Sequence, residues 1–561
     1  MIWNCEHDMT QRRMISEEVA DIIISWDTDD ELSSDEEETV SRLLPSVSPA
    51  ASSAITDSES SDENESDDES ANSTRDATAG DVAGRNGTIW TSCNPVLTGR
   101  TPAHNIFNAT PGVPRCVSTS ISTPYSAWKM FIHESILRSI AKYTTEEAVR
   151  RGDVDFSLSL DELESFIALQ YARGIYGKNH PVSFLWNRKY GIPIFRETMP
   201  RNTFTKILKY LRFDDKPNRI RRGAGADRFA PIRDVFSIFT SMCRSKYTCD
   251  FSLTVDEQLM PLKSRCSFIT FMPNKPDKYG IKFWVLVDVK SKYVANITPY
   301  LGAQEKEQRG DVPLGESVVL KITEHIKGKG YNICCDNFFT SLPLAEKLQQ
   351  EKLSLVGTIK KNRRDLSKVM TEPQKGSINS SNFFWHKKSG AMFLKYQPKP
   401  KKTVCLLSTM HSTPDVDTTT AAKKPCVIGF YNENKVGVDI FDQMARLYST
   451  RSASRRWPFA VWGNILDIAA INACALFIKS TGNYISRRDF TLELIECLRH
   501  QQQNNTTIIM KPESRKRRRC YRRDCNNATT FTCSQCQNPT CGKCSQNDSK
   551  FVLVKCSGCC K

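Results

Sequence analysis

The sequence contains no uninterrupted apolar run long enough to cross a membrane. Its longest apolar run, IAAINACALFI at 468–478, is interrupted by Asn472, and a membrane-spanning helix needs about 20 residues. The first residues, MIWNCEHDMTQRR, also lack the apolar segment of a secretory signal. We therefore expect no membrane partner and an intracellular location.

Apolar periodicity is also scarce over residues 1–121. Two acidic, serine-rich runs, at 27–38 and 57–70, precede a connector rich in Ser, Thr, Pro and Gly. Such a composition buries too little apolar surface to offset the entropy lost on ordering, so we predict a disordered acidic N-terminal region over 1–121. Phosphorylation there would add about −1.5 to −2 charges per site. The serines that lie among these acids, and so invite an acidophilic kinase as a partner, are Ser58, Ser60, Ser61 and Ser66.

The charge of the chain is strongly uneven. Residues 1–70 hold 21 Asp and Glu against 3 Lys and Arg, a net of −18, which leaves 75 Lys and Arg against 42 Asp and Glu in the remainder, a net of +33. An acidic tail ahead of a basic body favours a polyanionic partner, most commonly nucleic acid. On charge alone, a solvated basic surface without a partner is the alternative.

The body of the 561-residue chain is long enough for several domains. Helical periodicity begins near Tyr125 and predicts a mostly helical domain over 122–250. After Asp250 the period changes to that of strands, with interspersed helices at 316–327 and 341–350. The order β-β-β-α-β-α-β over 251–368 predicts a mixed α/β sheet.

Short β-like runs follow and predict a β-rich insertion over 369–430. They are FFWHKK, AMFLKYQ, TVCLLSTM and CVIGFYN. We expect the α/β unit to resume over 431–450 and the helical domain to resume over 451–510. The fold class predicted from these patterns is a multidomain α/β protein.

Aspartates stand at positions where an isolated carboxylate is unusual. Asp256 lies within the first strand, Asp336 ends a buried strand, and Asp439 and Asp442 lie three residues apart at the start of a helix. A buried, unpaired carboxylate is costly, whereas a group of them can hold Mg²⁺, which prefers oxygen ligands. Each residue taken alone can also be a turn former or a helix cap. Asp288, before a turn, is left out for that reason.

Five motifs, in this order and at this spacing, resemble those of the piggyBac family of DNA transposases. They are TVDEQL, MPNKPDKYGIKF, CCDNFFTS, GVDIFDQM and RRWPFA. The resemblance covers the chain from about 125 to its C-terminus. It implies an RNase H-like catalytic domain, made of 251–368 and 431–450 around the insertion, and a helical DNA-binding and dimerisation domain.

The resemblance also implies an activity and its residues. The catalytic aspartates of the family fall on Asp256, Asp336 and Asp439, with Asp442 as a fourth acidic residue, around Mg²⁺ or Mn²⁺. The implied activity is metal-dependent cut-and-paste transposition: cleavage of double-stranded DNA at transposon ends, hairpin intermediates, and joining to TTAA targets by a homodimer. Every acidic position is present, which favours an active enzyme over a domesticated relative that only binds DNA or chromatin.

Nine cysteines crowd into residues 520–560. In a reducing compartment such a crowd indicates metal ligands rather than disulfides. Eight thiolates in short pairs suit two closed, tetrahedral Zn²⁺ sites, with Cys560 spare. A cross-brace, with the first and third pairs on one zinc and the second and fourth on the other, is favoured, and a sequential arrangement stays open. The pairs are Cys520/Cys525, Cys533/Cys536, Cys541/Cys544 and Cys556/Cys559.

The resemblance identifies the region 511–561 as a RING- or PHD-like zinc module that binds transposon-end DNA, although the family often has a histidine ligand and this tail has none. The zinc pattern by itself also fits a RING-type ubiquitin ligase, a reading that explains neither the aspartates nor the basic body. The run RKRRR at 515–519 indicates nuclear localisation or phosphate contact, or else a solvated run. The residues predicted to contact DNA phosphates are Arg221, Arg222, Lys360, Lys361, Arg363, Arg364, Arg455 and Arg456, with Trp457 either near an unstacked base or in the core.

Overall fold

The structure is a computed structural model. It describes residues 80–95, 101–177, 180–219, 226–273, 275–302, 310–375, 378–452, 454–505, 518–522, 524–529, 538–541, 544–546 and 555–556. Several predictions lie outside the described residues: the acidic region up to residue 79 with its four serines, Arg221 and Arg222, most of the RKRRR run, and Cys533, Cys536, Cys559 and Cys560.

The helical part before Asp250 is confirmed. Ser159 caps the helix Leu160–Tyr176 by accepting a hydrogen bond from the backbone of Glu162. Leu163, Phe166 and Ile167 are buried on one face of this helix, at the spacing typical of an amphipathic helix. The helices are α1 (Arg115–Ser118), α2 (Pro124–Lys129), α3 (Glu134–Arg150), α4 (Leu160–Tyr176), α5 (Val182–Leu185), α6 (Pro193–Thr198), α7 (Arg201–Tyr210) and α8 (Arg233–Ser245).

Within the described residues, eleven strands form one sheet in the order β1-β2-β9-β10-β11-β8-β7-β3-β5-β4, with β6 also paired to β5. Strand β7 pairs in parallel with both β3 and β8. The strands are β1 (Asp81–Ala83), β2 (Ile89–Thr91), β3 (Ser252–Pro261), β4 (Ile269–Phe271), β5 (Tyr279–Asp288), β6 (Val294–Pro299), β7 (Asn332–Cys335), β8 (Ser354–Thr358), β9 (Ser380–His386), β10 (Met392–Lys399) and β11 (Lys402–Ser408).

The predicted order β-β-β-α-β-α-β is confirmed, with the short strand β4 added. Helices α9 (Leu314–Ile322) and α10 (Leu342–Gln350) make the two crossovers that parallel strands require. The helix predicted over 316–327 ends earlier, because a 3₁₀ turn at Glu324–Ile326 follows it. Gly328 then turns the chain with a φ of 78°, a conformation that glycine adopts without strain.

The β-rich insertion differs from the prediction in two ways. Strands β9, β10 and β11 do not make a separate unit, since β11 pairs with β8 and so extends the same sheet. The run CVIGFYN is not a strand but the start of helix α12 (Cys426–Lys435), which follows α11 (Lys368–Thr371). Its apolar residues Val427, Ile428 and Tyr431 are buried, and their i, i+1, i+4 spacing fits one helical face.

The prediction of disorder up to residue 121 is wrong for the described part of that region. Strands β1 and β2 form a hairpin, and β2 pairs with β9. The side chain of Trp90 is fully buried. One tryptophan that packs between the sheet and a neighbouring loop provides an apolar anchor that the polar composition of the segment conceals.

Three further helices complete the body: α13 (Gly437–Leu447), α14 (Trp457–Thr481) and α15 (Arg487–Asn505). In length and composition α14 could cross a membrane, but 89% of its apolar window is buried inside the protein, so it is a core helix here. At the C-terminus the described residues form two short ladders, β12 (Arg518–Arg519) with β13 (Ala528–Thr529) and β14 (Ser545–Gln546) with β15 (Lys555–Cys556).

Candidate active site and cysteine cluster

The structure places Asp256 and Asp336 at neighbouring positions of two parallel strands, Asp256 within β3 and Asp336 directly after β7. In the ladder of β3 with β7, Val255 lies opposite Cys335, and the two aspartates are the next residue on each strand. Equivalent positions of adjacent strands direct their side chains to the same face of a sheet. Each aspartate accepts a backbone hydrogen bond, Asp256 from Glu257 at 2.8 Å and Asp336 from Phe338 at 2.9 Å.

The electrostatics of this pair favour a bound cation. Burial raises the pKa of Asp256 well above its usual range, and the negative charges of Glu257 and Asp336 add to the effect. Burial likewise raises the pKa of Asp336, with a further contribution from Glu257, although the charge of Lys360 opposes it. Several neighbouring carboxylates repel one another, and their oxygen atoms are the ligands that Mg²⁺ or Mn²⁺ prefers.

Helix α13 lies on the face of β3 that carries Asp256. Thr254, Asp256 and Gln258 alternate along the strand and so share that face. The Thr254 hydroxyl donates to the carbonyl of Asn434 at 2.6 Å, just before α13, and Gln258 Nε2 donates to Asp442 Oδ1 at 3.3 Å. Asp442 therefore lies against the face of the sheet that carries Asp256.

Asp442 is paired with a basic side chain of its own helix. Arg446 Nε lies 3.2 Å from Asp442 Oδ2, and its guanidinium also contacts Asp277 at 2.8 Å. Asp439 is exposed. Among the described residues, only a group of cysteines brings three or more Cys, His, Asp or Glu ligand atoms within 4.8 Å of one another. A metal ion shared by Asp256, Asp336, Asp439 and Asp442 therefore stays a prediction.

Glu257 is a member of the acidic group that the sequence analysis did not select. Its charge raises the pKa of both Asp256 and Asp336, and Lys275 Nζ lies 3.6 Å from its carboxylate. The signal available in the sequence was its direct adjacency to Asp256 in VDEQL. By contrast, the Asp288 carboxylate accepts hydrogen bonds from two groups of its own turn, the Lys290 amide and the Ser291 hydroxyl, and from the Asp250 amide, which is the turn-forming role expected of it.

The basic side chains divide into two kinds. Lys360, Lys361 and Arg364 are exposed on the loop after β8, and Lys360 is close enough to Asp336 to affect its pKa. Arg363 is partly buried, and its guanidinium donates to the carbonyl of Thr340 at 3.2 Å. The loop therefore presents three exposed cations, of which Lys360 acts on Asp336.

The RRW motif is more structural than predicted. Arg455 is exposed, but the guanidinium of Arg456 donates to the carbonyls of Leu208 and Leu211 at the end of α7, and burial lowers the pKa of Arg456 to about 10. Trp457 packs with Phe229 and Phe268 at ring distances of 5.6 and 5.1 Å. Of its two predicted positions, Trp457 therefore takes the one against the hydrophobic core, and Arg456 caps the end of α7.

Four cysteines of the C-terminal region form a compact group. The Sγ atoms of Cys520, Cys525, Cys541 and Cys544 all lie within 4.8 Å of one another, and those of Cys525 and Cys541 are 3.6 Å apart. A tetrahedral site with Zn–S bonds of about 2.3 Å requires sulfur atoms about 3.8 Å apart. The geometry therefore fits a metal ion.

The composition of this group matches the first and third cysteine pairs of the predicted cross-brace. A sequential arrangement would have joined Cys520 and Cys525 to Cys533 and Cys536 instead. Of the second group, the structure describes only the backbone of Cys556, which lies opposite Ser545 in the β14–β15 ladder. That ladder places Cys556 opposite the residue that follows Cys544.

Comparison with known proteins gives consistent matches. The profile of the family described as Transposase IS4 matches residues 123–474. PiggyBac transposable element-derived protein 3 of Homo sapiens is 22% identical over 479 residues, 76% of this chain and 76% of that protein. The Chimeric ERCC6-PGBD3 protein of Homo sapiens is also 22% identical over 479 residues, which are 76% of this chain and 42% of that protein.

A solved structure agrees with these matches. The cryo-EM structure of a piggyBac transposase synaptic complex with hairpin DNA superposes with a TM-score of 0.66 and 28% identity, covering 80% of this chain and 100% of that chain. The multidomain α/β fold of the two chains is therefore similar.

Proposed function

Because this chain belongs to the piggyBac family of transposases, which the Transposase IS4 profile matches here, we propose that it is a metal-dependent DNA transposase that cleaves and joins phosphodiester bonds at transposon ends. The observation that carries the proposal is the pairing of Asp256 and Asp336 on adjacent parallel strands, with α13 held against the same face through Asp442. We propose that this region is an RNase H-like catalytic domain.

Asp256 and Asp336 would hold the divalent cation, with Asp439 and Asp442 next to them. When bound, that cation would stabilise the charge that develops on the phosphate and activate the attacking oxygen. Asp442 is already paired with Arg446, so we assign it the weaker, orienting role. Its replacement by asparagine should therefore reduce cleavage less than the same change at Asp256 or Asp336.

The exposed cations beside the acidic pair would bind the DNA backbone. Lys360, Lys361 and Arg364 belong to a loop within electrostatic reach of Asp336, so a phosphate held there lies near the reacting bond. Phosphate contacts of this kind carry no sequence information and make affinity depend strongly on salt. The synaptic complex with hairpin DNA in the similar structure supports double-stranded DNA, with a hairpin intermediate, as the substrate.

The C-terminal module would supply specificity for transposon ends. We propose that it holds two Zn²⁺, the first on Cys520, Cys525, Cys541 and Cys544 and the second on Cys533, Cys536, Cys556 and Cys559. TTAA targets, a homodimeric assembly, a nuclear location through the RKRRR run and an acidophilic kinase acting on the tail belong to the same proposal.

A second candidate is a domesticated protein that binds DNA without cutting it. Two observations favour it. The name of the similar human protein describes a transposable element-derived protein, and the carboxylate of Asp442 is already paired with Arg446. This candidate shares the DNA-binding surface and differs only in the chemistry.

The test is cleavage of a plasmid that carries the DNA bordering this coding sequence on both sides. Purified full-length protein with Mg²⁺ should nick the border, and denaturing gels should reveal hairpin ends, while chelation of the metal abolishes both. Salt-dependent binding without any nicking in Mg²⁺ or Mn²⁺ would establish the second candidate instead.

A further inference from the structure

The β1–β2 hairpin lies outside the residues 123–474 that the family profile matches, yet it contacts the loop beside the candidate active site. We call residues 360–365, KKNRRD, the basic loop. Three groups of the hairpin donate to three successive carbonyls of this loop: Arg85 Nη2 to Arg363 at 3.0 Å, the Asn86 amide to Arg364 at 3.0 Å, and Trp90 Nε1 to Asp365 at 2.7 Å.

The contact is close and is supported from behind. A Cβ at Gly84 would lie 2.3 Å from the carbonyl oxygen of Asp365, so only glycine allows the two backbones to approach in this way. Trp90 is fully buried and packs against the rings of His386 and Phe393. The hairpin is thus fixed to the sheet on one side and to the basic loop on the other.

The basic loop is in turn connected to a catalytic candidate. Arg363 Nη2 donates to the carbonyl of Thr340 at 3.2 Å. Thr340 donates twice to the carbonyl of Asp336, from its amide at 3.1 Å and from its hydroxyl at 2.7 Å. A continuous series of hydrogen bonds therefore leads from the hairpin through the basic loop to the residue that bears the carboxylate.

We propose that the β1–β2 hairpin is a positioning element for DNA: it fixes the backbone of the basic loop so that Lys360, Lys361 and Arg364 meet the phosphates next to Asp336. Trp90 and Arg85 act through the loop and touch neither DNA nor metal. Binding without the hairpin requires the loop to be ordered by DNA itself, and that ordering entropy is subtracted from the affinity.

This inference rests on the proposed function, since it assumes that the basic loop contacts DNA. The chain offers a matched control. Trp385 lies opposite Thr91 in the β2–β9 ladder and is also buried, but among the described residues its Nε1 has no hydrogen-bond partner. Trp90→Phe and Trp385→Phe therefore make the same change in neighbouring strands, and only the first removes a bond to the basic loop.

The experiment uses full-length protein and a 30-base-pair duplex from the coding sequence border, with binding measured from about 50 to 200 mM salt. We expect Trp90→Phe and Arg85→Ala each to weaken binding by about 2- to 12-fold, the range for one hydrogen bond, with a shallower salt slope. Both should also lose hydrogen-exchange protection in 361–366. Trp385→Phe should match the wild type in binding, slope and exchange.

The outcomes separate the two levels of the account. If the wild type binds with steep salt dependence and both Trp90→Phe and Arg85→Ala match Trp385→Phe, the positioning role is wrong and the proposed function stands. If the wild type itself binds weakly and without salt dependence, the proposed function fails first. Arg85 is exposed, so its variant keeps the test valid even where Trp90→Phe loses stability.

Discussion

The cysteine cluster gives a prediction that can be worked out from its geometry. Four Sγ atoms within 4.8 Å and one pair at 3.6 Å form a closed site of the structural type, for which zinc supplies about 10–16 kcal/mol at neutral pH. Shared over four thiolates, this is about 2.5–4 kcal/mol for each one. Replacing one cysteine with serine should therefore weaken zinc binding by about two to three orders of magnitude.

Double variants distinguish the two possible arrangements of the module. If Cys520 and Cys541 bind the same ion, Cys520→Ser with Cys541→Ser removes one zinc and leaves the other. Cys520→Ser with Cys533→Ser should then remove both. The assay is elemental zinc analysis of purified full-length protein after competition with a chelator, and we expect about two zinc ions per wild-type chain.

The control is Cys93→Ser with Cys116→Ser, because both cysteines are exposed and distant in sequence from the cluster. It should retain the zinc content of the wild type. Loss of both ions in the Cys520/Cys541 variant, with loss of only one in the Cys520/Cys533 variant, would refute the cross-brace and contradict the arrangement in this structure. Wild-type protein without zinc would refute the metal site altogether.

Three further predictions concern charge. Deleting residues 1–79, which keeps the β1–β2 hairpin, should tighten DNA binding at low salt, because a tail with a net charge of −18 over residues 1–70 competes with phosphate. Equal affinities of the deletion variant and the wild type, measured by fluorescence anisotropy, would show that the tail has no effect on binding. Arg455→Ala should lower the salt slope of DNA binding by about one. Arg456→Ala removes the hydrogen bonds to Leu208 and Leu211 and should instead lower the free energy of unfolding by about 1.5–3 kcal/mol. The reverse pattern in binding and denaturation curves would contradict the assignment. Burial lowers the pKa of His325 to about 4, and the charges of Arg244 and Lys329 add to the effect. The unfolded chain therefore binds the proton first, and stability falls as the pH drops below about 6.5. Between pH 7 and pH 5 the free energy of unfolding, measured by urea titration, should fall by about 1–2 kcal/mol less for His325→Gln than for the wild type, and equal losses would contradict the burial effect.

The succession of strands and helices along the chain was predictable because its signals are local. Nearly continuous apolar residues, as in GIKFWVLVDV, are typical of a strand buried on both faces, and Ser159 with Glu162 forms a capping box at the start of α4. CVIGFYN was misassigned because a short apolar run does not distinguish a strand from a buried helix. Only the packing of α12 against the sheet decides between the two.

The candidate site was predictable in its residue types and less so in its geometry. The ladder that aligns Asp256 with Asp336 is a long-range pairing that no local pattern encodes, and the resemblance supplied it. Arg446 as the partner of Asp442 follows from i, i+4 spacing on α13 and could have been found. The docking of Trp90 on Asp365 joins residues 275 positions apart, and a single tryptophan in a polar segment gives no signal of it.

The central claim is that Asp256 and Asp336 form the acidic site for DNA cleavage. The most direct measurement is single-turnover nicking of border DNA in Mg²⁺ by Asp336→Asn, with Asp288→Asn as the matched control, because Asp288 is equally an aspartate of the sheet but is satisfied by its own turn. The account predicts that Asp336→Asn binds DNA normally and does not nick it, while Asp288→Asn nicks at a rate close to that of the wild type. Nicking by Asp336→Asn at the wild-type rate would contradict the account.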